Sequence, residues 1–73
     1  MRVHISNPRY IDDLEEFLAL QLDAVHARVA INEIEVSPLG SLNEQAAAMA
    51  LDLQLRAWES AHPGVRAERR ART

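Results

Sequence analysis

The chain has 73 residues and no cysteine, which suffices for one domain, is too short for two, and excludes disulfides and thiolate metal sites. Its charge is uneven: residues 1–62 carry four Arg against ten Asp or Glu, a formal −6, whereas residues 63–73 carry Arg66, Arg69, Arg70 and Arg72 against Glu68 alone, a formal +3. An acidic body repels phosphates, so nucleic acid is an unlikely partner with only the tail to attract it, and no apolar run approaches the length of a membrane span.

So short a chain buries a modest core, and with disulfides excluded the natural support is a partner chain. The start, Met1-Arg2-Val3-His4, lacks the apolar stretch of a secretory signal, and a cytoplasmic location is the expectation.

Val3 and Ile5 alternate with Arg2 and His4, which reads as a short half-buried strand. Ser6-Asn7-Pro8 then starts a helix: Asn7 accepts from free first-turn amides, and Pro8 has no amide to satisfy. This helix is expected over 8–22, with Ile11, Leu14, Leu18 and Leu22 on one stripe and Tyr10 and Phe17 beside it. Asp12 and Asp13 sit where the helix dipole favours negative charge, and with Glu15 and Glu16 they read as a solvated face.

From residue 24 to 37 the period changes to two. Val25, Ala27 and Val29 alternate with His26 and Arg28, and Ile34 and Val36 alternate with Glu33 and Glu35, with Asn32 at the turn of a hairpin. Pro38-Leu39-Gly40 closes its second strand. Ser41-Leu42-Asn43-Glu44 has the form of a capping box, with Ser41 as cap and Glu44 reaching back. A second helix of about twenty residues follows to His62, stopped by Pro63-Gly64. Val65-Arg66-Ala67-Glu68 alternates weakly and is expected to be a closing edge strand, after which residues 69–73 form a frayed basic tail.

The expected fold is therefore one α+β domain over 1–68 in the ferredoxin-like order β-α-β-β-α-β, an antiparallel sheet with both helices on one face. Without the weak last strand, a three-stranded sheet remains.

On the second helix, Ala47, Ala48, Leu51, Leu55 and Trp58 form the wedge that faces the sheet, while Gln45, Asp52, Arg56 and Glu59 make a polar strip. A second apolar stripe, Ala46, Ala50, Leu53 and Ala57 with Met49 close by, lies nearly opposite the wedge. Ala tolerates water and is a strong helix former, but Leu53 and Met49 on an outward stripe suggest a protein contact. Two such helices crossing about a two-fold axis would be the simplest assembly, a homodimer.

Residues fit for chemistry are sparse. The Ser and Thr hydroxyls that could serve as a nucleophile are Ser6, Ser37, Ser41, Ser60 and Thr73, and none stands in a strand-turn-helix elbow. His4 and His26 are expected on the outward face of the sheet with Arg28, Glu33, Glu35, Arg66 and Glu68. Their spacing matches no metal signature, and neither a metal nor a cofactor is expected. His62 is placed to complement the carbonyl end of the second helix. Two glycines supply no phosphate loop, and an outward sheet face without aromatics argues against base stacking.

Arg2-Val3-His4-Ile5, Pro8, Asp13-Leu14, Phe17-Leu18, Glu35-Val36-Ser37, Leu39-Gly40-Ser41, Leu55-Arg56-Ala57-Trp58 and His62-Pro63-Gly64-Val65 span most of the chain. In these residues it resembles a group of short uncharacterised proteins of high-GC bacteria. Basic residues that are all Arg, in an Ala-rich chain, fit such a source. The resemblance implies a complete small protein and, since the group has no established activity, no site residues. Copper-chaperone-like domains would need paired cysteines after the first strand, and acylphosphatase-like enzymes a longer loop than Ser6-Asn7-Pro8.

Three functions follow as expectations. The first is a non-enzymatic interaction or regulatory module, self-associating through Met49, Leu53, Ala57, Ala46 and Ala50. The second is a small-ligand or anion sensor on the open sheet face, lined by His4, Arg28 and Glu35. The third is weak nucleic-acid contact by Arg66, Arg69, Arg70 and Arg72.

Overall fold

The computed structural model of the protein describes residues 1–22, 24–39 and 43–70. Strand β1 (Arg2–Ile5) leads through a 3₁₀ turn (Pro8–Tyr10) into helix α1 (Ile11–Gln21). Strands β2 (Ala24–Ala30) and β3 (Glu33–Pro38) form the hairpin, and helix α2 (Glu44–Ala61) precedes strand β4 (Ala67–Arg70). The sheet has the order β2-β3-β1-β4 with every pair antiparallel. The protein is thus α+β, with a four-stranded antiparallel sheet and two α-helices. Among the described residues, no helix is long and apolar enough to cross a membrane.

One core joins the layers. Val3, Ile5, Ile34, Val36 and Ala67 from the strands meet Ile11, Leu14, Leu18, Leu51, Leu55 and Trp58 from the helices, with Val65 beneath the end of α2. The period-two alternation of β1 and β3 places their apolar residues in this core and Arg2, His4, Glu33 and Glu35 on the opposite, open face. Helix α1 buries the expected stripe at Ile11, Leu14 and Leu18, with Leu22 and Phe17 packed at its edge.

The sequence reading is revised at four places. The first helix opens as a 3₁₀ turn, with Asn7 Oδ1 accepting from the Arg9 amide at 3.1 Å, and becomes α-helical only at Ile11. The cap of α2 is Asn43, whose side chain accepts from the amides of Gln45 and Ala46 at 2.9 and 3.2 Å. Ser41, the expected cap, lies outside the described residues, as does Gly40. The helix nevertheless ends where Pro63-Gly64 predicts, with Gly64 at φ 87°, a conformation that favours glycine.

The third revision is the closing strand, which forms two residues later than expected. Arg69 and Arg70, assigned to the tail, belong to β4. Val65 and Ala67 are buried as their alternation requires, and Arg69 continues that face by reaching α2, where it donates to both oxygens of Asp52 at 2.9 and 3.1 Å. Arg72 lies outside the described residues.

The fourth revision concerns β2, whose faces are reversed. Its register pairs His26 with Val36 and Arg28 with Ile34, both core residues of β3. His26 and Arg28 therefore lie on the helix side of the sheet. Ala27 pairs with Glu35 and Val25 with Ser37, so the apolar residues take the open side. The cause lies above the strand: α1 presents Asp12 and Glu15 there, and Arg28 pairs with both, to Glu15 at 3.8 Å. His26 Nδ1 stands 3.9 Å from Glu15. This face gives Arg28 its carboxylate partners, whereas His26 Nδ1 is buried without a hydrogen-bond partner.

Candidate functional site

The helix layer exposes Leu20, Met49 and Leu53, while Val25, Val29, Ile31 and Leu39 are exposed on and around the β2–β3 hairpin. Helix α2 buries Leu51, Leu55 and Trp58, which lie at i, i+4 and i+7 and so share one face. Leu53 and Met49 must then project away from the core, and they are 64 and 66 % exposed. Ala46, Ala50 and Ala57 are exposed along the same line. The five residues expected to form the outer stripe therefore all lie on the surface of α2.

A feature absent from the sequence reading adjoins this stripe. Leu20 on α1 is 78 % exposed, more than any other large apolar side chain described. With Phe17, Ala57, Trp58 and Ala61 it lines a groove between the two helices, of about 290 Å³, whose rim carries Asp13, Glu16 and His62. Ala57 belongs both to the stripe and to the groove, so the two surfaces are continuous. In the sequence Leu20 falls outside the core stripe of α1, one turn from Phe17, and only the packing of α2 beside the two creates the groove.

A polar-aromatic brace closes one end of the groove. Trp58 Nε1 donates to Asp13 Oδ2 at 3.1 Å, and His62 Nε2 stands 2.7 Å from the same oxygen. His62 Nδ1 is 2.8 Å from the Trp58 carbonyl oxygen, so the ring does complement the end of α2 as its position predicted. The imidazole stacks on the indole with centroids 4.0 Å apart, and Tyr10 meets both rings edge-on. Both ring nitrogens of His62 face oxygen acceptors, which makes the residue a strut between α1 and the end of α2. The spacing of Trp58 and His62 already put them on one helical face. Their partner, Asp13, is 45 residues away from Trp58, and no local pattern points to it.

The open sheet face is built differently. Arg2 donates to Glu33 at 3.0 Å and to Glu35 at 3.3 Å, and the α-amino group of Met1 donates to Glu35 as well. That amino group, ahead of Arg2 and against the cost of partial burial, holds the Glu35 carboxyl below the usual glutamate range. His4 Nε2 lies 3.0 Å from Nδ2 of the Asn32 side chain. His4 and Glu35 thus share the open face but have separate partners. Arg28, the third member of the expected ligand set, lies on the other side of the sheet, where Asp12 raises its pKa. The set His4, Arg28 and Glu35 is therefore not brought together.

The basic residues of the C-terminal region are also partly engaged. Arg69 is paired with Asp52, which raises its pKa, and Arg66 stands 3.8 Å from Glu68. Arg70 lies beside Arg2 across the sheet. Among the described residues, no group of three or more His, Asp or Glu is arranged to hold a metal ion.

No family model matches the chain, and neither a curated protein nor a solved structure does.

Proposed function

We propose that the protein is a ferredoxin-like, non-enzymatic interaction module that works by protein-protein contact, and that a second copy is its partner. The strand order β2-β3-β1-β4 supports the fold reading, with the 3₁₀ turn taken as the lead-in to α1. The observation that carries the functional reading is the exposure of Leu53, Met49 and Leu20 on one helix layer. Single exposed apolar residues are ordinary, but contiguous ones mark contact surfaces.

The size of the patch sets the expected strength. The patch is small, three large side chains and the alanines around them, whereas a specific interface usually buries upward of about 1,000 Å² in total. The dimer should therefore be reversible and dependent on concentration. Light scattering across a concentration series tests this. The expected result is a mass that rises from one copy to two, and a Leu53→Asp variant that stays at one copy with unchanged secondary structure. A dimer unaffected by Leu53→Asp would refute the assignment to α2.

A further inference from the structure

The two edges of the sheet are built differently, and the difference is independent of the α2 surface. Strand β4 is short and charged, and its backbone is engaged beyond β1. The Ala67 amide donates to Glu59 Oε2 at 2.7 Å, and the preceding residue, Arg66, exchanges two hydrogen bonds with Ser6. Strand β2 is seven residues long and pairs on one side only, with β3. Alternate residues of such a strand direct amides and carbonyls away from the sheet. Among the described residues, no side chain, turn or loop takes up these groups of β2. The strand has no Pro or Lys to deter pairing, Arg28 is neutralised by Asp12 and Glu15, and Val25 and Val29 are exposed. We propose that the outer edge of β2 binds an extended peptide segment of another protein by strand addition, and that a carboxylate of that segment docks on Arg9.

The chemistry of the peptide follows from the end of this edge. An open cleft of about 660 Å³ lies there, and its lining includes Arg9, Asp12, Arg28, Val29 and Ile31. Arg28 already has its carboxylates, whereas the exposed Arg9 guanidinium has no ion-pair partner among the described residues. The ladder of β2 against β3 is irregular between Arg28 and Ala30. Such an irregularity ends regular pairing, so an added strand runs along residues 24–28 and its next residue enters the cleft. Every strand pair in the sheet is antiparallel, and an addition that continues this pattern brings the N-terminal end of the peptide to Arg9. The partner is therefore a segment with an acidic residue ahead of alternating apolar residues. Main-chain pairing supplies affinity, the apolar side chains cover Val25 and Ala27 on the open side, and the carboxylate sets the register. A second copy fits this edge less well, because β2 laid against itself about Ala27 sets Arg28 opposite His26 and brings no acidic residue of its own to Arg9.

The probe is the peptide acetyl-Asp-Val-Thr-Val-Thr-Val-amide, titrated into the full chain and followed through the backbone amide resonances. The expected shifts are confined to β2, Ile31 and Arg9, with Leu53 unmoved. N-methylation of alternate peptide amides should weaken binding about tenfold in one phase, by removing hydrogen bonds to β2, and change it little in the other. Replacing the Asp of the peptide by Lys should weaken binding to the wild-type chain about fivefold, and Arg9→Glu, its fold verified by circular dichroism, should reverse that preference. No response at millimolar peptide, equal losses in both phases of N-methylation, or an Arg9→Glu chain that still prefers the Asp peptide would each overturn the proposal. Amides of β2 that become protected from exchange as protein concentration rises, with no peptide bound, would assign the edge to a second copy and overturn it as well.

Discussion

Asp13 illustrates how far a single side chain escapes local reading. Its place in the first turn of α1 suggested a solvated carboxylate favoured by the helix dipole, yet one of its oxygens serves both Trp58 and His62. Asp13→Ala should therefore cost about 1–2 kcal/mol, the low end for hydrogen bonds to a charged group because the carboxylate is half exposed. The denaturation midpoint measures the cost, and the emission of the lone tryptophan should shift as its indole loses its acceptor. Glu35 makes a second prediction at this scale. Its folded-state pKa is lowered, first by the α-amino group of Met1, so its contribution is complete above the ordinary glutamate range and is lost as pH falls through the folded value. Glu35→Gln should lower stability at neutral pH by less than about 1 kcal/mol, as for other exposed pairs, and the difference from wild type should close on acidification. Denaturation midpoints across the acid range check both the size and the sign. His26 and Arg28 show why the open face was misread. Alternation reveals that residues of a strand divide between two faces, but the choice of inner face on an edge strand depends on what lies above it, and here that is Asp12 and Glu15.

The elements themselves were largely legible, because periodicity and punctuation are local. The two-residue period marked β1 and β3, and Pro63-Gly64 marked the end of α2. The start of α2 was less so: the stretch Ser41-Leu42-Asn43-Glu44 contains two residues able to cap, and the sequence motif favoured the first. Asn43 holds that position by accepting from two amides. Asn43→Ala should destabilise the protein by about 1 kcal/mol, whereas Asn43→Gly should cost only a few tenths. Thermal or urea unfolding separates the two variants. Strand β4 is short and charged, and its alternation was weak because Arg69 faces inward without being apolar. Asp52 makes that possible by giving the guanidinium a two-oxygen partner on the overlying helix. A strand held this way depends on α2, which couples the C-terminal edge of the sheet to the helix that carries the contact surface.

At the scale of the whole molecule, the same helix supplies both the core and the surface that we assign to self-association. Leu51 and Leu53 are two residues apart and differ in burial from 0 to 64 % exposed, and this contrast separates folding from association. Leu51→Ala removes packing from the centre of the protein and should cost about 2–5 kcal/mol. Against a total stability on the order of 5–15 kcal/mol, with a 73-residue chain toward the lower end, that loss should leave the variant partly unfolded at physiological temperature. Leu53→Asp replaces an exposed side chain and should leave the isolated protomer within about 0.5 kcal/mol of its original stability. Its effect should appear elsewhere. A folded state that dimerises gains stability by mass action, so the wild-type melting temperature should rise with protein concentration. The melting temperature of Leu53→Asp should be independent of concentration and meet the wild-type value at high dilution. If both proteins melt at concentration-independent temperatures, association makes no contribution to holding this fold, and the small core between the helices and the sheet is sufficient on its own.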